Sequence, residues 1–228
     1  MAVRRSSESG VRDSNRDLRF TISRVWDTLF AMMGKTRLEA FSDAVIAILL
    51  TIMVLELKAP HETDLAALRP LIPTFLAYVL SFVFLGVYWN NHHHMVHTVH
   101  RVTGAILWAN LHLMFWLSLV PFTTHWMGEN WHASTPTALY AFDLLMCGVA
   151  YWILQSTILK AEGPDSLLKR AIGRDFKGKM SPVFYISAFF LAFVAPWIAQ
   201  VLFVAMSLMW LVPDRRIERA LAVDETRH

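Results

Sequence analysis

Long apolar runs separated by short polar segments make up most of this 228-residue chain. Each of the first four runs reaches the ~17–25 residues that a helix needs to cross a bilayer; they cover 38–57, 71–90, 104–124 and 137–159. A fifth run, 182–212, is too long for one ordinary span, and Pro196 lies near its middle. Because proline breaks a helix, we expect two short helices joined near Pro196. The pattern predicts an all-α integral membrane protein with six transmembrane helices, and five is the alternative.

Polar segments flank this apolar region at both ends. Residues 1–35 combine a stretch rich in Ser, Arg and Asp with FTISRVWDTLFAMM over 20–33, where apolar residues recur at helical spacing. We expect a cytoplasmic tail with an amphipathic helix, lying on the membrane surface or packed on the protein's own cytoplasmic face. Residues 36–213 then form the six-helix transmembrane domain, and 214–228 form a cytoplasmic C-terminal tail.

The positive charges are distributed unevenly along the chain. Of its 21 Lys and Arg, all but Lys58 and Arg69 lie in the N-terminal segment, in the 91–103 and 160–181 loops, or after residue 213. Cytoplasmic loops carry an excess of Lys and Arg, so an even number of spans places both termini and these loops in the cytoplasm. We therefore expect a multi-pass protein of the cell membrane.

The composition agrees with a membrane protein and excludes several other classes. The chain is 55% hydrophobic and 17% charged, against about 45–50% and about 25% in soluble domains. Its single cysteine, Cys147, excludes an intrachain disulfide. Its basic residues flank apolar spans, so we expect no nucleic-acid partner. No P-loop, nucleophile elbow, dinucleotide fingerprint or carbonyl-filter motif is present, and we expect no enzyme.

The start of the first span combines polar and apolar side chains in an ordered way. Charge at membrane depth costs at least ~2.5–3.5 kcal/mol, so such residues need partners and usually a function. One face of this helix carries a set of apolar residues and one hydroxyl: Phe41, Ala44, Val45, Ile48, Thr51, Ile52 and Leu55. Ser42 and Asp43 lie off that face. By spacing alone, the face either lines a path or is packed core or lipid-facing surface.

Histidines cluster where the second span ends, in His92-His93-His94 and at His97 and His100. A continuous helix would align His93, His97 and His100 on one face, which is a spacing that suits zinc. However, 65–128 contains no carboxylate, no cysteine is nearby, and His-Glu-x-x-His is absent. Structural or hydrogen-bonding histidines are the favoured interpretation, ahead of incidental metal affinity and a catalytic metal. We assign no metal and keep these three as weak candidates.

Several motifs together resemble the transmembrane protein 175 family of lysosomal and prokaryotic potassium channels. They cover roughly residues 36–219 and lie at span ends or starts: Arg37-x-x-x-Phe41-Ser42-Asp43, Trp89-x-x-His92-His93, Trp108-x-Asn110, Pro121-Phe122 and Pro213-Asp214-Arg215-Arg216. Prokaryotic relatives often follow the two histidines with arginine, whereas this chain reads His94-Met95-Val96-His97.

The resemblance implies a potassium-permeable cation channel that conducts passively. It implies a six-helix subunit without a pore loop, a homotetramer, and first helices that line the pore. The narrowest ring would be Ile48, with Ile52 and Leu55 as further apolar layers and Thr51 as a hydroxyl layer. The partners implied are other copies of the chain, the bilayer, K⁺ and other monovalent cations, with no cofactor.

The resemblance also implies a polar network around the first helix. Arg37, Ser42 and Asp43 would join residues of the second and third helices, either within or between subunits: Trp89, His92 or His93, and Asn110.

Two alternatives from other functional classes remain. One is a metal-binding membrane protein or enzyme built on the histidine cluster. The other is a secondary transporter coupled to protons through Asp43, against which we count the absence of an internal repeat and of carboxylates in midspan.

Overall fold

The computed structural model describes residues 34–164 and 176–211, and residues 166, 168 and 169 between them. Six α-helices are described over their length: α1 Gly34–Leu55, α2 Ile72–His97, α3 Gly104–Glu129, α4 Ser134–Glu162, α5 Phe176–Val194 and α6 Pro196–Leu211. Residues 168 and 169 are also helical. A 3-10 helix, Leu65–Leu71, precedes α2, and the described ranges contain no strand. The predicted amphipathic segment 20–33 and the C-terminal tail lie outside the described residues.

The helices follow the apolar runs closely but differ in length. Four are long and apolar enough to cross a membrane: α1, α2 with its 3-10 helix, α3 and α4. The apolar parts of the last two, Met180–Val194 and Pro196–Leu211, are shorter. At 1.5 Å per residue they rise only about 22–24 Å, against a hydrocarbon core about 30 Å thick. The predicted break near Pro196 is confirmed, since α5 ends at Val194 and α6 begins at Pro196.

Local chemistry explains several helix ends. The Thr103 side chain accepts a hydrogen bond from the Ile106 amide and caps the start of α3. Beyond α4, Gly163 has φ +88°, a conformation that glycine adopts without strain. Gly128, near the end of α3, is needed for close approach: a Cβ there would lie 2.7 Å from the Cα of Thr74. Thr103 therefore marks the start of α3 and Gly163 the end of α4, and Gly128 allows α3 to lie close to the start of α2.

Two clusters of buried apolar side chains hold the helices together. The first joins α1, α2, α3 and α4 and includes Ile46, Leu85, Leu113 and Leu154. The second joins α2 through α6 and includes Phe84, Tyr140, Tyr185 and Phe203. The first helix contributes only to the first cluster, so it packs along one side of the subunit.

Polar contacts place α1 antiparallel to α2. At its start, the Lys35 ammonium donates to the carbonyl of His97, the last residue of α2. Beyond its other end, Lys58 lies 3.9 Å from Glu129, the last residue of α3. One end of the bundle therefore gathers the start of α1 and the end of α2, and the opposite end gathers the end of α1 and the end of α3.

Candidate functional site

The two faces of α1 differ sharply in their surroundings. Five side chains pack into the subunit and are buried: Leu38, Ser42, Ile46, Leu49 and Met53. The opposite side includes Ile48, which is 56% exposed, and Leu55, which is 78% exposed. The described part of the subunit therefore leaves a long apolar strip of this helix uncovered.

The uncovered strip contains most of the residues that the sequence predicts for one face. Phe41, Ile48, Ile52 and Leu55 are exposed large apolar residues, and Ala44 and Thr51 are exposed between them. Val45 departs from the prediction, because it is half-buried and packs against the first core cluster. Ile46 and Leu49 are buried, and on a helix of 3.6 residues per turn Val45 lies at the border of the side that they define. We name the exposed set, without Val45, the open face of α1.

Thr51 carries the hydroxyl on this open face. Its Oγ1 donates to the carbonyl of Ile48 at 2.8 Å, which satisfies its hydrogen within its own helix. The side chain is nevertheless exposed, so the oxygen's lone pairs remain available as acceptors. The side chains of the open face are thus apolar except for the hydroxyl of Thr51, which is their one hydrogen-bond acceptor.

Behind the open face, a buried hydrogen-bond chain connects three helices. The Asn110 amide nitrogen of α3 donates to Ser42 Oγ at 3.0 Å, and Ser42 donates to the carbonyl of Leu38 at 2.9 Å. Asn110 Oδ1 lies 2.7 Å from His92 Nε2 on α2. An amide oxygen only accepts, so His92 Nε2 is the donor in this pair. All three side chains are at most 1% exposed, and the chain therefore ties α1, α2 and α3 together from inside.

The remaining residues of the predicted network are more exposed. Trp89 Nε1 donates to Asp43 Oδ1 at 2.9 Å, which is a direct side-chain contact between α2 and α1. Arg37 and Phe41 are exposed, and Arg37 forms no hydrogen bond or ion pair with the described residues. Within one subunit the structure brings Ser42, Asn110 and His92 together, and Asp43 with Trp89, and leaves Arg37 outside.

The histidine cluster does not form the aligned triplet that the spacing suggested. The His93 and His97 rings stack on α2 with centroids 6.2 Å apart, but α2 ends at His97. His100 lies beyond the helix end, where Nδ1 is 2.7 Å from Glu162 Oε2 on α4. The prediction that one helix aligns all three was wrong, because Thr98 terminates the helix first. Among the residues described, no group of three or more His, Cys, Asp or Glu is arranged to hold a metal.

Comparison with known proteins assigns the family. Residues 37–121 match the family described as endosomal/lysosomal potassium channel TMEM175, and this range includes the open face and the buried hydrogen-bond chain. A potassium channel of a Chryseobacterium species is 51% identical over 189 residues, covering 83% of this chain and 98% of that relative. The chain belongs to the TMEM175 family.

Two further relatives agree with this assignment. A potassium channel of Chamaesiphon minutus is 31% identical over 177 residues, covering 72% of this chain and 86% of the relative. The crystal structure of a lysosomal potassium-selective channel TMEM175 homolog from Chamaesiphon minutus superposes with a TM-score of 0.70 at 27% identity. That match covers 80% of this chain and 98% of the solved one. The helices of this TMEM175 family member are thus arranged as in a solved channel.

The sequence interpretation missed a buried acid. Asp143 lies within α4, is 2% exposed, and accepts a hydrogen bond from Thr123 at 2.8 Å. Its second oxygen, Oδ1, is buried without a hydrogen-bond partner among the described atoms. The expectation that no carboxylate lies in midspan was wrong for this helix of the TMEM175 chain. A lone aspartate within the apolar run YAFDLLMCG was the signal that identifies it.

Charged groups also meet at the far end of α1, next to the open face. Glu56 directly follows Leu55, and its Oε2 lies 4.0 Å from His125 Nε2. The same His125 nitrogen is 3.3 Å from Glu129 Oε1. Sequence reasoning missed this cluster because its members are 69 or more residues from Glu56. The TMEM175 subunit therefore carries carboxylates beside both ends of the open face, Asp43 at one and Glu56 at the other.

Proposed function

We propose that this protein is a potassium-permeable cation channel in which four copies of α1 line a central pore. Its TMEM175 relatives that are named potassium channels support the ion, and the open face of α1 supports the pore helix. A face of large apolar residues on a membrane helix needs a lipid, a protein or a water-filled cavity beside it. The motif residues on the buried side of the same helix favour a fixed orientation over random contact with lipid.

The pore requires several copies of the chain. One helix cannot enclose a path, and each subunit supplies one α1 with a single open face. A homotetramer with the open faces turned inward would bury them against one another and around an axial path. In this arrangement all six helices are embedded in the membrane, and the short α5 and α6 are accommodated by local thinning of the bilayer.

A constriction of apolar side chains selects ions differently from a carbonyl filter. Isoleucine offers a cation no oxygen ligands, so a ring of four Ile48 side chains would act through its width and the cost of shedding water. Ile52 and Leu55 would extend this apolar path toward the end of α1. The Thr51 oxygens would offset part of the dehydration cost for the ion. We expect a modest preference for K⁺ over Na⁺, with dewetting at Ile48 as the closed state.

The buried hydrogen-bond chain would hold the pore helix in register. Ser42 lies about two turns into α1 and is fixed from two neighbouring helices through Asn110 and His92. Rotation of α1 would break this chain and leave polar groups unpaired inside the subunit, at a cost of about 1–3 kcal/mol for each group. The chain would therefore keep Ile48 pointing toward the axis. Asp43 and Glu56, near the two ends of the open face, would raise the local concentration of cations.

Ion flux through the reconstituted protein tests the proposal. Purified protein is placed in liposomes, and flux is driven first by a K⁺ gradient and then by a Na⁺ gradient, with empty vesicles and valinomycin as controls. We expect electrogenic flux that is larger for K⁺ and needs no added metal. Absence of flux in a folded oligomer would contradict the channel. Saturable flux that follows an imposed pH gradient would instead identify a proton-coupled transporter.

A further inference from the structure

A cavity lies away from α1, between α2, α4, α5 and α6. Its volume is about 440 Å³, within the range of about 300–1,000 Å³ that small-molecule sites occupy. Aromatic residues are the largest group in its described lining and include Tyr88, Tyr151, Trp152, Tyr185 and Trp210. None of these residues belongs to the open face or the buried hydrogen-bond chain.

The lining changes from apolar to polar along the helix axes. On α2 it runs from Phe84 to Asn91, and on α4 from Gly148 to Gln155, each over seven residues or about 10 Å. Both carboxamides lie toward the ends of their helices. Ser181, near the start of α5, lies at the same end of the bundle. The cavity is therefore amphipathic, with its polar part near the membrane surface and its apolar part deeper.

The polar part offers hydrogen-bond donors that have no partner among the described residues. The carboxamides of Asn91 and Gln155 form no side-chain hydrogen bond with the described residues. Each is half-buried, and each supplies two N–H donors and one acceptor. Partly buried donors of this kind are stabilised by an acceptor-rich ligand, such as an ester or phosphodiester group.

Exposed apolar side chains surround the rim of the cavity. Trp152, which is 64% exposed, lies on it, and Val183 and Leu211 adjoin lining residues and are exposed. The chain that follows α6, VPDRRIERALAVDETRH, carries charged residues throughout and does not match an aromatic interior. A molecule with an apolar tail and an ester-bearing head matches both ends of the cavity. We propose that the cavity binds one phospholipid of the cytoplasmic leaflet, with an acyl chain among the aromatic residues and its ester region at Asn91 and Gln155.

Glycine provides a matched pair of variants. A Cβ at Gly148 would meet only the Tyr88 hydroxyl, at 3.9 Å, so a larger side chain there extends into the cavity. A Cβ at Gly86, on α2 outside the lining, would meet nothing within 4 Å. Gly148→Phe therefore fills the site, and Gly86→Phe adds the same side chain to a membrane helix elsewhere. Val87→Trp fills the cavity from the opposite wall and replaces Gly148→Phe if that variant fails to fold.

Lipid counting tests the site without relying on ion conduction. The full chain is purified, depleted of lipid and titrated with dioleoyl phosphatidylglycerol, and bound lipid per subunit is measured by native mass spectrometry. We expect one retained lipid per subunit, an affinity at least about tenfold lower in Gly148→Phe because the acyl space is filled, and no change in Gly86→Phe. Equal binding by all three proteins, or none by the wild type, would overturn the proposal.

A density map of the wild-type protein in nanodiscs of the same lipid needs no variant. We expect elongated density in the cavity that continues toward the cytoplasmic headgroup layer. Density continuous with the residues after Leu211 would assign the cavity to the protein's own C-terminal segment and overturn the proposal, as would a cavity that holds only water. Because neither experiment measures flux, loss of this site leaves the channel assignment unaffected.

Discussion

Ile46 and Ile48 have the same side chain, lie two residues apart on α1, and have opposite environments. Ile46 is fully buried in the first core cluster, whereas Ile48 is 56% exposed on the open face. Both faces of the helix read as apolar in the sequence, so hydrophobicity does not tell them apart. The difference is that one face packs against α2, α3 and α4, whereas the other stays exposed on the described subunit. Ile46 therefore represents the residues that hold the subunit together, and Ile48 represents the residues that are available to line a pore.

The largest effect is expected from a matched polar substitution at these two positions. Ile46→Asn buries an amide without a partner, which costs about 2–7 kcal/mol, and we expect loss of the folded oligomer. Ile48→Asn places the same amide on the open face and leaves folding intact. Thermal unfolding and gel filtration in detergent measure both variants. Equal stability of the two variants would show that Ile46 and Ile48 do not differ in burial in the folded protein.

Ile48→Asn, which we expect to leave folding intact, should have the larger effect on ion conduction. Ile48→Asn replaces an apolar ring by amides that hold water, so we expect a higher leak and a lower K⁺-to-Na⁺ ratio in the liposome assay. Leu76→Asn, at an exposed apolar position on α2, is the control for adding an amide to a surface of the same kind. An unchanged ion ratio in Ile48→Asn would exclude Ile48 as the constriction.

The hydrogen-bond chain offers a smaller and more specific test of the buried face. Asn110→Leu keeps the volume but leaves Ser42 and His92 without their shared partner, and we expect a loss of about 1–3 kcal/mol. Ser42→Ala alone should cost less, and adding it to Asn110→Leu should cost little more. A double-mutant cycle on unfolding free energy measures this coupling. Strict additivity of the two changes would mean that the pair does not interact.

The smallest effect is expected at Thr51. Thr51→Val keeps the shape and removes the one acceptor on the open face, a change worth about 0.5–1.5 kcal/mol for one hydrogen bond. We expect a K⁺-to-Na⁺ ratio that falls by about twofold to tenfold, with an unchanged unfolding temperature. The reversal potential under mixed ions measures the ratio. A ratio equal to that of the wild type would place selectivity elsewhere along the path.

The helices were predictable because their signals are local. Apolar runs located all six described helices. Pro196 located the break between the last two, since proline disfavours helical backbone in the residue before it and is well suited to the first position of a new helix. The histidine triplet failed for a local reason that spacing does not contain, the end of α2 at His97. Asp143 was visible as an acid within an apolar run, but its pairing with Thr123 depends on how α3 and α4 meet.

The sequence by itself determined the membrane class, the helix positions and the apolar periodicity of α1, because these follow from the 3.6-residue turn and from bilayer thickness. Tertiary structure alone decided which apolar face is buried and which stays open. It also decided that Asn110 reaches Ser42, 68 residues away, and that His92 completes the chain while His93 stays exposed. Such partners are set by packing between helices, which depends on contacts that no single helix contains.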